Sequence, residues 1–262
     1  MPEGHTVHRI ARDHHLWFAG QTVRVASPQG RFASEAARLD QTCLELVEAH
    51  GKHLFYQWSD SRFVHVHLGL YGKFRQHRLP TPEAVGAVRL RVIGTDRAFD
   101  LNGPNRCELI DEAGKRKITE RLGADPLRGD ADWETAADRI HSSRAEIGRL
   151  LLDQTVIAGL GNIYRAEILH RLGIHPARPG KSLQAEQLQA IWDLSRKWLK
   201  IGMRHNRIIT ADPQQVGKTL SKMNAAERLT IYKKPHCLQC GAGVRSWEQA
   251  ARKIYACETC QR

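Results

Sequence analysis

The chain has 262 residues, of which 41% are hydrophobic, and no run approaches the roughly eighteen apolar residues of a membrane span. Forty Lys and Arg against 28 Asp and Glu give a net charge of +12, which favours a polyanionic partner, nucleic acid before others. A membrane surface is the alternative, disfavoured because no helical pattern places a lysine-rich face beside a wide Trp and Leu face. Since the N-terminus lacks a secretory-signal pattern, we expect a cytoplasmic protein of two or three packed units.

The N-terminal part of the chain combines one helical pattern with short strand patterns. Apolar residues over 7–17 recur at helical spacing, and Gly20 follows where a helix could end. The period then changes to two in five segments separated by turn residues, 22–26, 42–47, 53–58, 63–68 and 88–93. This pattern predicts an N-terminal helix with an antiparallel β-sandwich over residues 1–115.

After about residue 115 the pattern becomes helical, with the clearest periods near 133–140 and 188–199. The polar stretch 116–130 is predicted to be a linker, 131–223 a helical domain, and 224–262 a compact tail that contains cysteines. The expected fold class is therefore multidomain α+β.

The tail has the spacing C-x2-C-x16-C-x2-C, which is typical of a tetrahedral zinc site. The four cysteines are Cys237, Cys240, Cys257 and Cys260. Two disulfides are the alternative, disfavoured because the chain lacks a secretory signal. We expect a zinc ribbon with one structural Zn²⁺ per chain, too small to fold without its metal. Cys43 and Cys107 fall in strand patterns and are predicted to be buried small apolar residues.

The stretch Asp153–Tyr164, DQTVIAGLGNIY, lies between two helical patterns. Gly159 and Gly161 remove side-chain bulk before a helix for which Asn162 is the expected N-cap. A simple turn between helices is one interpretation. Binding of a DNA phosphate by backbone N–H groups at the helix N-terminus is the other, and the ribbon and the basic charge favour it.

The chain start, MPEGHT, raises a chemical question. If Met1 is removed, the nitrogen of Pro2 becomes a secondary amine and a nucleophile instead of an amide. The alternative is that Pro2 and Glu3 only favour the first turn of a helix.

Two features of the β region have similar alternatives. Lys52 follows Gly51 at a strand start, where most lysines are solvated surface groups. Leu70 and Tyr71 lie on a glycine-flanked turn. They either pack in an ordinary hairpin or form a wedge that fills the space left when a base leaves the duplex.

These motifs together resemble those of the formamidopyrimidine-DNA glycosylase/endonuclease VIII family. The resemblance rests on the start Met-Pro-Glu-Gly-His-Thr, on Gly51-Lys52, on His67–Gly72, on Asp153–Tyr164 and on the final Cys-x-x-Cys-Gln. The matches keep one order over almost the entire chain. The chain is more similar to the endonuclease VIII branch, particularly its actinobacterial members, than to the 8-oxoguanine branch.

The resemblance implies a bifunctional DNA glycosylase and abasic-site lyase that acts on oxidised bases, with a helix-two-turns-helix domain before the ribbon. Pro2 would attack the sugar and form a Schiff base, and Glu3 would serve as general acid. Lys52 would act near the anomeric centre. Asn162 and Arg252 would bind the phosphates that flank the flipped nucleotide.

The resemblance also implies that Gly69, Leu70 and Tyr71 occupy the vacated base stack. The Arg-Arg-Phe-Gly element of the 8-oxoguanine branch is absent, and the nearest stretch contains Arg106, which remains a DNA-binding candidate. Segment 208–223 lacks the Gly-Gly-Thr-Thr motif of that branch.

Oxidised pyrimidines are therefore the expected substrates, removed with β,δ-elimination. An enzyme that prefers 8-oxoguanine or formamidopyrimidine, and a non-catalytic protein that binds damaged DNA, are the alternatives. We expect a monomer that acts on damaged DNA in the nucleoid.

Overall fold

The structure is a computed structural model that describes residues 2–262. The chain divides into two compact units. The first contains Pro2 and Glu3 together with Val7–Arg121, and the second contains Gly4–Thr6 and Leu122–Arg262. Helix α1 (Gly4–Phe18) therefore begins in the second unit and continues in the first.

The first unit is built mainly from antiparallel strands. After α1 its elements are β1 (Gln21–Ala26), α2 (Ala33–Leu39), β2 (Thr42–His50), β3 (His53–Trp58), β4 (Phe63–His67), β5 (Lys73–Arg78), β6 (Val88–Ile93), β7 (Arg97–Asn102), β8 (Arg106–Ile110) and α3 (Glu112–Thr119). The strands form a sheet of order β5-β7-β6-β1-β2-β3-β4-β8, in which β1 pairs with both β2 and β6.

This sheet folds over on itself. Tyr56 lies on β3 and Phe99 on β7, four positions apart in the strand order, or about 19 Å in a flat sheet with strands about 4.8 Å apart. Their ring centroids are only 5.5 Å apart. The two ends of the sheet therefore face each other across a common apolar core, which confirms the predicted antiparallel sandwich with its N-terminal helix.

Strand β6 shows how the sequence forms this sandwich. Val88, Leu90 and Val92 are buried, while Arg89 and Arg91 between them remain half-exposed. Successive side chains of a strand point to opposite faces, so the apolar residues reach the core and the two arginines lie on the other face, where Arg91 pairs with Asp100.

A histidine lies in the middle of this core. His14 on α1 is fully buried, its Nδ1 lies 2.7 Å from the hydroxyl of Tyr56, and its ring stacks on Phe99 with centroids 4.4 Å apart. Burial lowers the pKa of His14 to about 3 and raises the pKa of Tyr56. Both groups are therefore neutral in the folded protein at physiological pH.

The second unit is helical and ends in a two-stranded hairpin. Its elements are α4 (Trp133–His141), α5 (Ile147–Leu150), α6 (Asn162–Arg171), α7 (Ala185–His205), α8 (Pro213–Val216), β9 (Arg245–Gln249) and β10 (Arg252–Ala256). Leu160, Ile168 and Leu199 belong to its main apolar core, and a smaller cluster that includes Ile231 and Ile254 lies under the hairpin. The predicted helical region and cysteine-bearing tail are confirmed. No helix among residues 2–262 is long and apolar enough to cross a bilayer.

Several elements differ from the sequence expectations. Strands β5 and β8 form the two edges of the sheet, and β5 has the sequence KFRQHR, without apolar alternation. Edge strands with charged side chains avoid pairing with other chains, and their pattern does not resemble that of a half-buried strand. The predicted linker 116–130 begins inside α3, whose cap Asp111 accepts the N–H of Gly114 at 2.7 Å. Helix α3 has no fully buried residue, so hydrophobic period did not reveal it.

Acid is expected to destabilise the protein through buried histidines such as His14. An unfolded histidine takes up a proton at its usual pKa of about 6.5, whereas His14 in the folded protein has a pKa of about 3. The contribution of such a histidine to the free energy of unfolding is therefore complete above about pH 6.5. It falls as the pH drops toward the folded pKa, by about 1.4 kcal/mol per pH unit for each such histidine.

Urea unfolding between pH 7 and pH 4.5 measures this slope. The His14→Gln variant, although less stable at pH 7, should show a slope smaller by about one proton. Equal slopes for the variant and the natural chain would contradict the assignment.

Candidate active site and metal centre

The predicted site residues are divided between the two units. The first unit contains Pro2, Glu3, Lys52, Gly69, Leu70, Tyr71 and Arg106. The second contains Asn162, Arg252 and the four cysteines Cys237, Cys240, Cys257 and Cys260.

The chain start buries a carboxyl group. Pro2 is half-buried, and Glu3, directly before α1, is fully buried. The Glu3 side chain caps no backbone N–H of α1. A residue that served only to start the helix would cap it or face solvent, so helix initiation does not account for this burial. Met1, whose removal we expect, lies outside the described residues.

Lys52 lies in the two-residue turn between β2 and β3, after Gly51 with φ +59°. It is half-buried, unlike a freely solvated surface lysine. Burial, the charge of His65 and then the charge of Lys52 lower the pKa of His67 at the end of β4. Arg106, which stands opposite His67 in the β4–β8 pairing, is exposed.

Leu70 and Tyr71 are the exposed tip of the loop between β4 and β5. They are 49% and 85% exposed, so the alternative that they pack in an ordinary hairpin is wrong. Gly69 has φ +64°, and a Cβ there would lie 2.8 Å from the Cβ of Asn105. Only glycine satisfies both the left-handed conformation and the close approach, which fixes the direction of the tip.

Gly159, before α6, lies in close backbone contact with Gly4 at the start of α1. The N–H of Gly4 donates to the carbonyl of Gly159 at 2.8 Å, and the N–H of Gly159 donates to Oε1 of Gln154 at 3.0 Å. A Cβ on Gly4 would lie 2.8 Å from the Cα of Gly159. The N–H of Gly159 is therefore already used inside the fold.

Asn162 is the first residue of α6, and Gly161 occupies the N-cap that was predicted for Asn162. Its side chain is bonded at both ends, since Nδ2 donates to the carbonyl of Lys253 at 2.9 Å and Oδ1 accepts from Nε of Arg165 at 3.0 Å. The amide is thus used to join α6 to the hairpin. Asn162 therefore lies at the N-terminal end of α6, where the helix dipole favours an anion.

Arg252 begins β10, directly after a two-residue turn. Ala250 and Ala251 in that turn have φ values of 53° and 55°, which identifies a type I′ turn. The side chain of Arg252 is exposed, and its carbonyl accepts from the buried guanidinium of Arg165 at 3.3 Å. Arg165 also donates to the carbonyl of Gln249 at 3.3 Å, so both ends of the turn are held.

The four cysteines of the tail form one cluster. The sulfurs of Cys237 and Cys260 are 3.9 Å apart, those of Cys240 and Cys257 are 3.5 Å apart, and all four lie within 4.8 Å of one another. Four thiolates about 2.3 Å from one tetrahedral zinc ion would lie about 3.8 Å apart, whereas a disulfide requires about 2.05 Å. The cluster therefore fits a four-coordinate metal ion and does not fit the two-disulfide alternative.

The remaining cysteines are half-buried and not fully buried as predicted. Cys43 lies on β2 and Cys107 on β8. Burial raises the pKa of the Cys107 thiol to about 12, so this thiol stays protonated and inert.

Glu167 on α6 was not identified from the sequence. Its buried carboxylate accepts the hydroxyl groups of Thr210 and Thr230, both at 2.6 Å. It also accepts the backbone N–H groups of Thr230, Ile231 and Tyr232 at 2.8, 2.9 and 2.8 Å. These bonds attach the segment that leads into the ribbon to α6.

His170, one turn further along α6, is a second residue that the sequence did not reveal. It is buried, and its Nε2 lies 3.1 Å from the sulfur of Cys237. Hydrogen bonds of this kind orient metal ligands. Neither Glu167 nor His170 is part of a recognisable sequence motif, because their hydrogen-bond partners lie far away in the sequence.

Comparisons with known proteins agree over the full chain. Residues 1–106 match the formamidopyrimidine-DNA glycosylase N-terminal domain, and residues 122–214 match the formamidopyrimidine-DNA glycosylase H2TH domain. Endonuclease 8 1 of Mycobacterium tuberculosis is 43% identical and covers 100% of both chains. Probable endonuclease 8 2 of Streptomyces coelicolor is 30% identical and covers 100% of this chain and 94% of its own. A formamidopyrimidine-DNA glycosylase of Thermomicrobium roseum is 27% identical over 86% of this chain and 84% of its own.

Solved structures show the same fold. A complex between the LlFpg protein, a THF-DNA and an inhibitor has a TM-score of 0.81 at 23% identity and covers 100% of both chains. A complex between Lactococcus lactis Fpg and DNA with an abasic site has a TM-score of 0.80 at 23% identity and covers 99% of both.

Removal of the metal is expected to unfold the tail, because the apolar cluster under the hairpin is small. We expect one zinc ion per chain by elemental analysis. Cys240→Ser should lose the ion and, in hydrogen exchange, the protection of the β9–β10 amides. Cys107→Ser, a cysteine outside the cluster, is the matched control and should keep both. Full metal content in Cys240→Ser, or hairpin protection that persists after chelation, would contradict the assignment.

Proposed function

Because the chain belongs to the formamidopyrimidine-DNA glycosylase/endonuclease VIII family and is thus a DNA glycosylase of base-excision repair, we propose that it removes oxidised bases, pyrimidines in preference, and cleaves the resulting abasic site. The observation that carries this proposal is the 43% identity to Endonuclease 8 1 over the full chain, against 27% over 86% for a formamidopyrimidine-DNA glycosylase. The partner is damaged DNA, met in the nucleoid by a monomer.

The reaction begins at the processed chain start. The lone pair of the Pro2 nitrogen forms a bond to C1′ of the damaged nucleotide, and the bond between C1′ and the base breaks. The electron pair leaves with the base, which takes up the proton that the Pro2 nitrogen loses. Opening of the sugar ring then gives an iminium ion between Pro2 and C1′. Because the nitrogen is a secondary amine, the iminium stays positively charged and acidifies the proton on C2′.

Glu3 and Lys52 manage the protons in this proposal. Glu3 gives its proton to the ring oxygen as the sugar opens, and its buried carboxyl group directly follows Pro2 in the chain. Lys52 supplies positive charge near the anomeric carbon. Loss of the C2′ proton expels the 3′ phosphate, and a second elimination expels the 5′ phosphate.

Asn162 and Arg252 bind the phosphates beside the flipped nucleotide. Support comes from the position of Asn162 at the N-terminus of α6, where backbone N–H groups favour an anion, and from the exposed guanidinium of Arg252. The four cysteines hold zinc, which stabilises the hairpin that carries Arg252 and takes no part in the bond changes.

Leu70 and Tyr71 fill the vacated stack. One of these side chains is apolar and the other aromatic, and they are 49% and 85% exposed at the tip of the loop. Packing within the fold therefore does not account for their residue types. A wedge between base pairs is a common device in proteins that extract a nucleotide. Arg106 and Gly69 belong to the same surface of the first unit.

Covalent trapping tests the chemistry. Protein without Met1 should form a complex with abasic DNA that borohydride makes permanent. Pro2→Gly, which replaces the secondary amine with a primary amine, should slow trapping, and Glu3→Gln should reduce base excision by about 10²-fold or more. Pro82 and Glu83, an exposed Pro-Glu pair, provide the matched controls Pro82→Gly and Glu83→Gln. Trapping by protein shown by intact mass to retain Met1, or its absence from processed protein, would refute the mechanism.

A lesion panel tests the preference. Single-turnover excision of thymine glycol should be faster than that of 8-oxoguanine opposite cytosine, because the chain lacks the Arg-Arg-Phe-Gly and Gly-Gly-Thr-Thr elements. The reverse order would assign the chain to the 8-oxoguanine-preferring alternative. Binding to lesions with no cleavage would identify a non-catalytic damage-binding protein.

A further inference from the structure

Three histidines share one face of the strand pair β3 and β4. In the register of this pair His53 stands opposite His67, and Phe55 stands opposite His65. The ring centroids of His53 and His65 are 5.1 Å apart with 15° between the planes, and those of His53 and His67 are 5.0 Å apart. We call His53, His65 and His67 the histidine face. The proposed reaction gives these rings no role.

A carboxylate fixes the protons of two of the rings. Oε1 of Glu108 lies 2.8 Å from Nδ1 of His65, and Nε2 of His65 lies 2.9 Å from Nδ1 of His53. Because a carboxylate only accepts, His65 carries its proton on Nδ1 and accepts the Nδ1 proton of His53 at Nε2. Burial lowers the pKa of both imidazoles, that of His53 to about 3, so both rings are neutral at pH 7. The two bonds therefore select one tautomer for each ring.

The histidine face adjoins two segments of the candidate site. His53 directly follows Lys52, and its backbone pairs with His50 across the turn that contains Lys52. His67 is the last residue of β4 before the loop that carries Leu70. The other end of the hydrogen-bonded chain is Glu108, which stands opposite His65 in the β4–β8 pairing. This series of hydrogen bonds, Glu108 to His65 to His53, thus runs from an edge strand of the sheet to the turn that contains Lys52.

Two simpler explanations account for less. Stacking alone needs no carboxylate, and phenylalanine would stack as Phe55 does on His65, with centroids 5.1 Å apart. A metal site is also a poor explanation, because within residues 2–262 only the cysteine cluster brings three or more ligand atoms close enough to share an ion. The directed hydrogen bonds are the feature that needs a role.

We propose that Glu108, acting through His65, orients the ring of His53 and thereby positions the turn that carries Lys52. Glu108, His65 and His53 are positioning residues and touch no reacting atom. The inference rests on the role that the proposed function gives to Lys52. A lysine that supplies charge to a transition state acts over a short distance, so its turn must be held accurately.

Two substitutions at His53 separate hydrogen bonding from packing. His53→Phe keeps a stacked ring and removes the donor to His65. His53→Asn removes the ring but places an amide N–H where Nδ1 stands. Glu108→Leu and Glu108→Gln make the same comparison at the other end, since glutamine keeps an accepting oxygen. The exposed His141 on α4 supplies the matched controls His141→Phe and His141→Asn.

The first measurement is the single-turnover rate of borohydride trapping on abasic DNA at saturating enzyme, together with the Kd for that DNA. His53→Phe and Glu108→Leu should slow trapping by about tenfold or more with the Kd changed by less than about twofold, and His53→Asn and Glu108→Gln should restore most of the rate. Equal rates for the Phe and Asn variants, or an effect on the Kd alone, would overturn the proposal.

The second measurement does not depend on activity. Imidazole ¹⁵N spectra should show Nδ1–H tautomers for His53 and His65, and the amide resonances of Gly51 and Lys52 should move in His53→Phe but not in His53→Asn. Nε2–H tautomers, or unmoved turn amides in His53→Phe, would overturn the positioning role. A wild-type protein that traps no DNA while these spectra appear as expected would refute the proposed function and leave the positioning of the turn in place.

Discussion

One buried guanidinium determines the arrangement of the second unit. Arg165 is fully buried on α6, and it donates to the carbonyl of Gly148 at 2.9 Å, to Asn162, and to the two carbonyls at the ends of the β9–β10 turn. An arginine remains charged inside a protein, so its burial costs several kcal/mol unless its donors are satisfied. Only the native placement of α6 and the hairpin satisfies them together. Since Asn162 and Arg252 both belong to this network, the spacing of the two proposed phosphate contacts follows from the same bonds.

The two units bury polar groups by different means. The first keeps imidazoles neutral, as at His14 and His53, where burial lowers the pKa to about 3. The second surrounds one carboxylate, Glu167, with five donors from hydroxyl and backbone groups. Burial costs a neutral imidazole less free energy than a charged group, whereas a buried carboxylate needs donors bonded to its oxygens. Acid acts on both units, because burial also lowers the pKa of His5, which belongs to the second unit, to about 4.

The sequence predicted those features that depend on local periodicity or fixed spacing. Five strands were identified from their apolar residues, whereas the central strand β7 and the edge strands β5 and β8 were not. The four cysteines were identified because a metal site imposes a short repeat. The N-cap of α6 was placed one residue late, since Gly161 fills a position that is usually polar. Arg165, Glu167 and His170 could not be predicted, because their partners lie 84, 64 and 67 positions away in the chain.

The alanine pair at the tip of the hairpin has a consequence for the order of folding. Ala250 and Ala251 both adopt left-handed backbone conformations, which cost about 1–2 kcal/mol for each residue that is not glycine. Their local sequence therefore opposes the turn, and a hairpin of this kind does not nucleate by itself. We expect α6 to form first, so that Arg165 can bind the carbonyl groups at the two ends of the β9–β10 turn. The hairpin then folds late, after the helical unit.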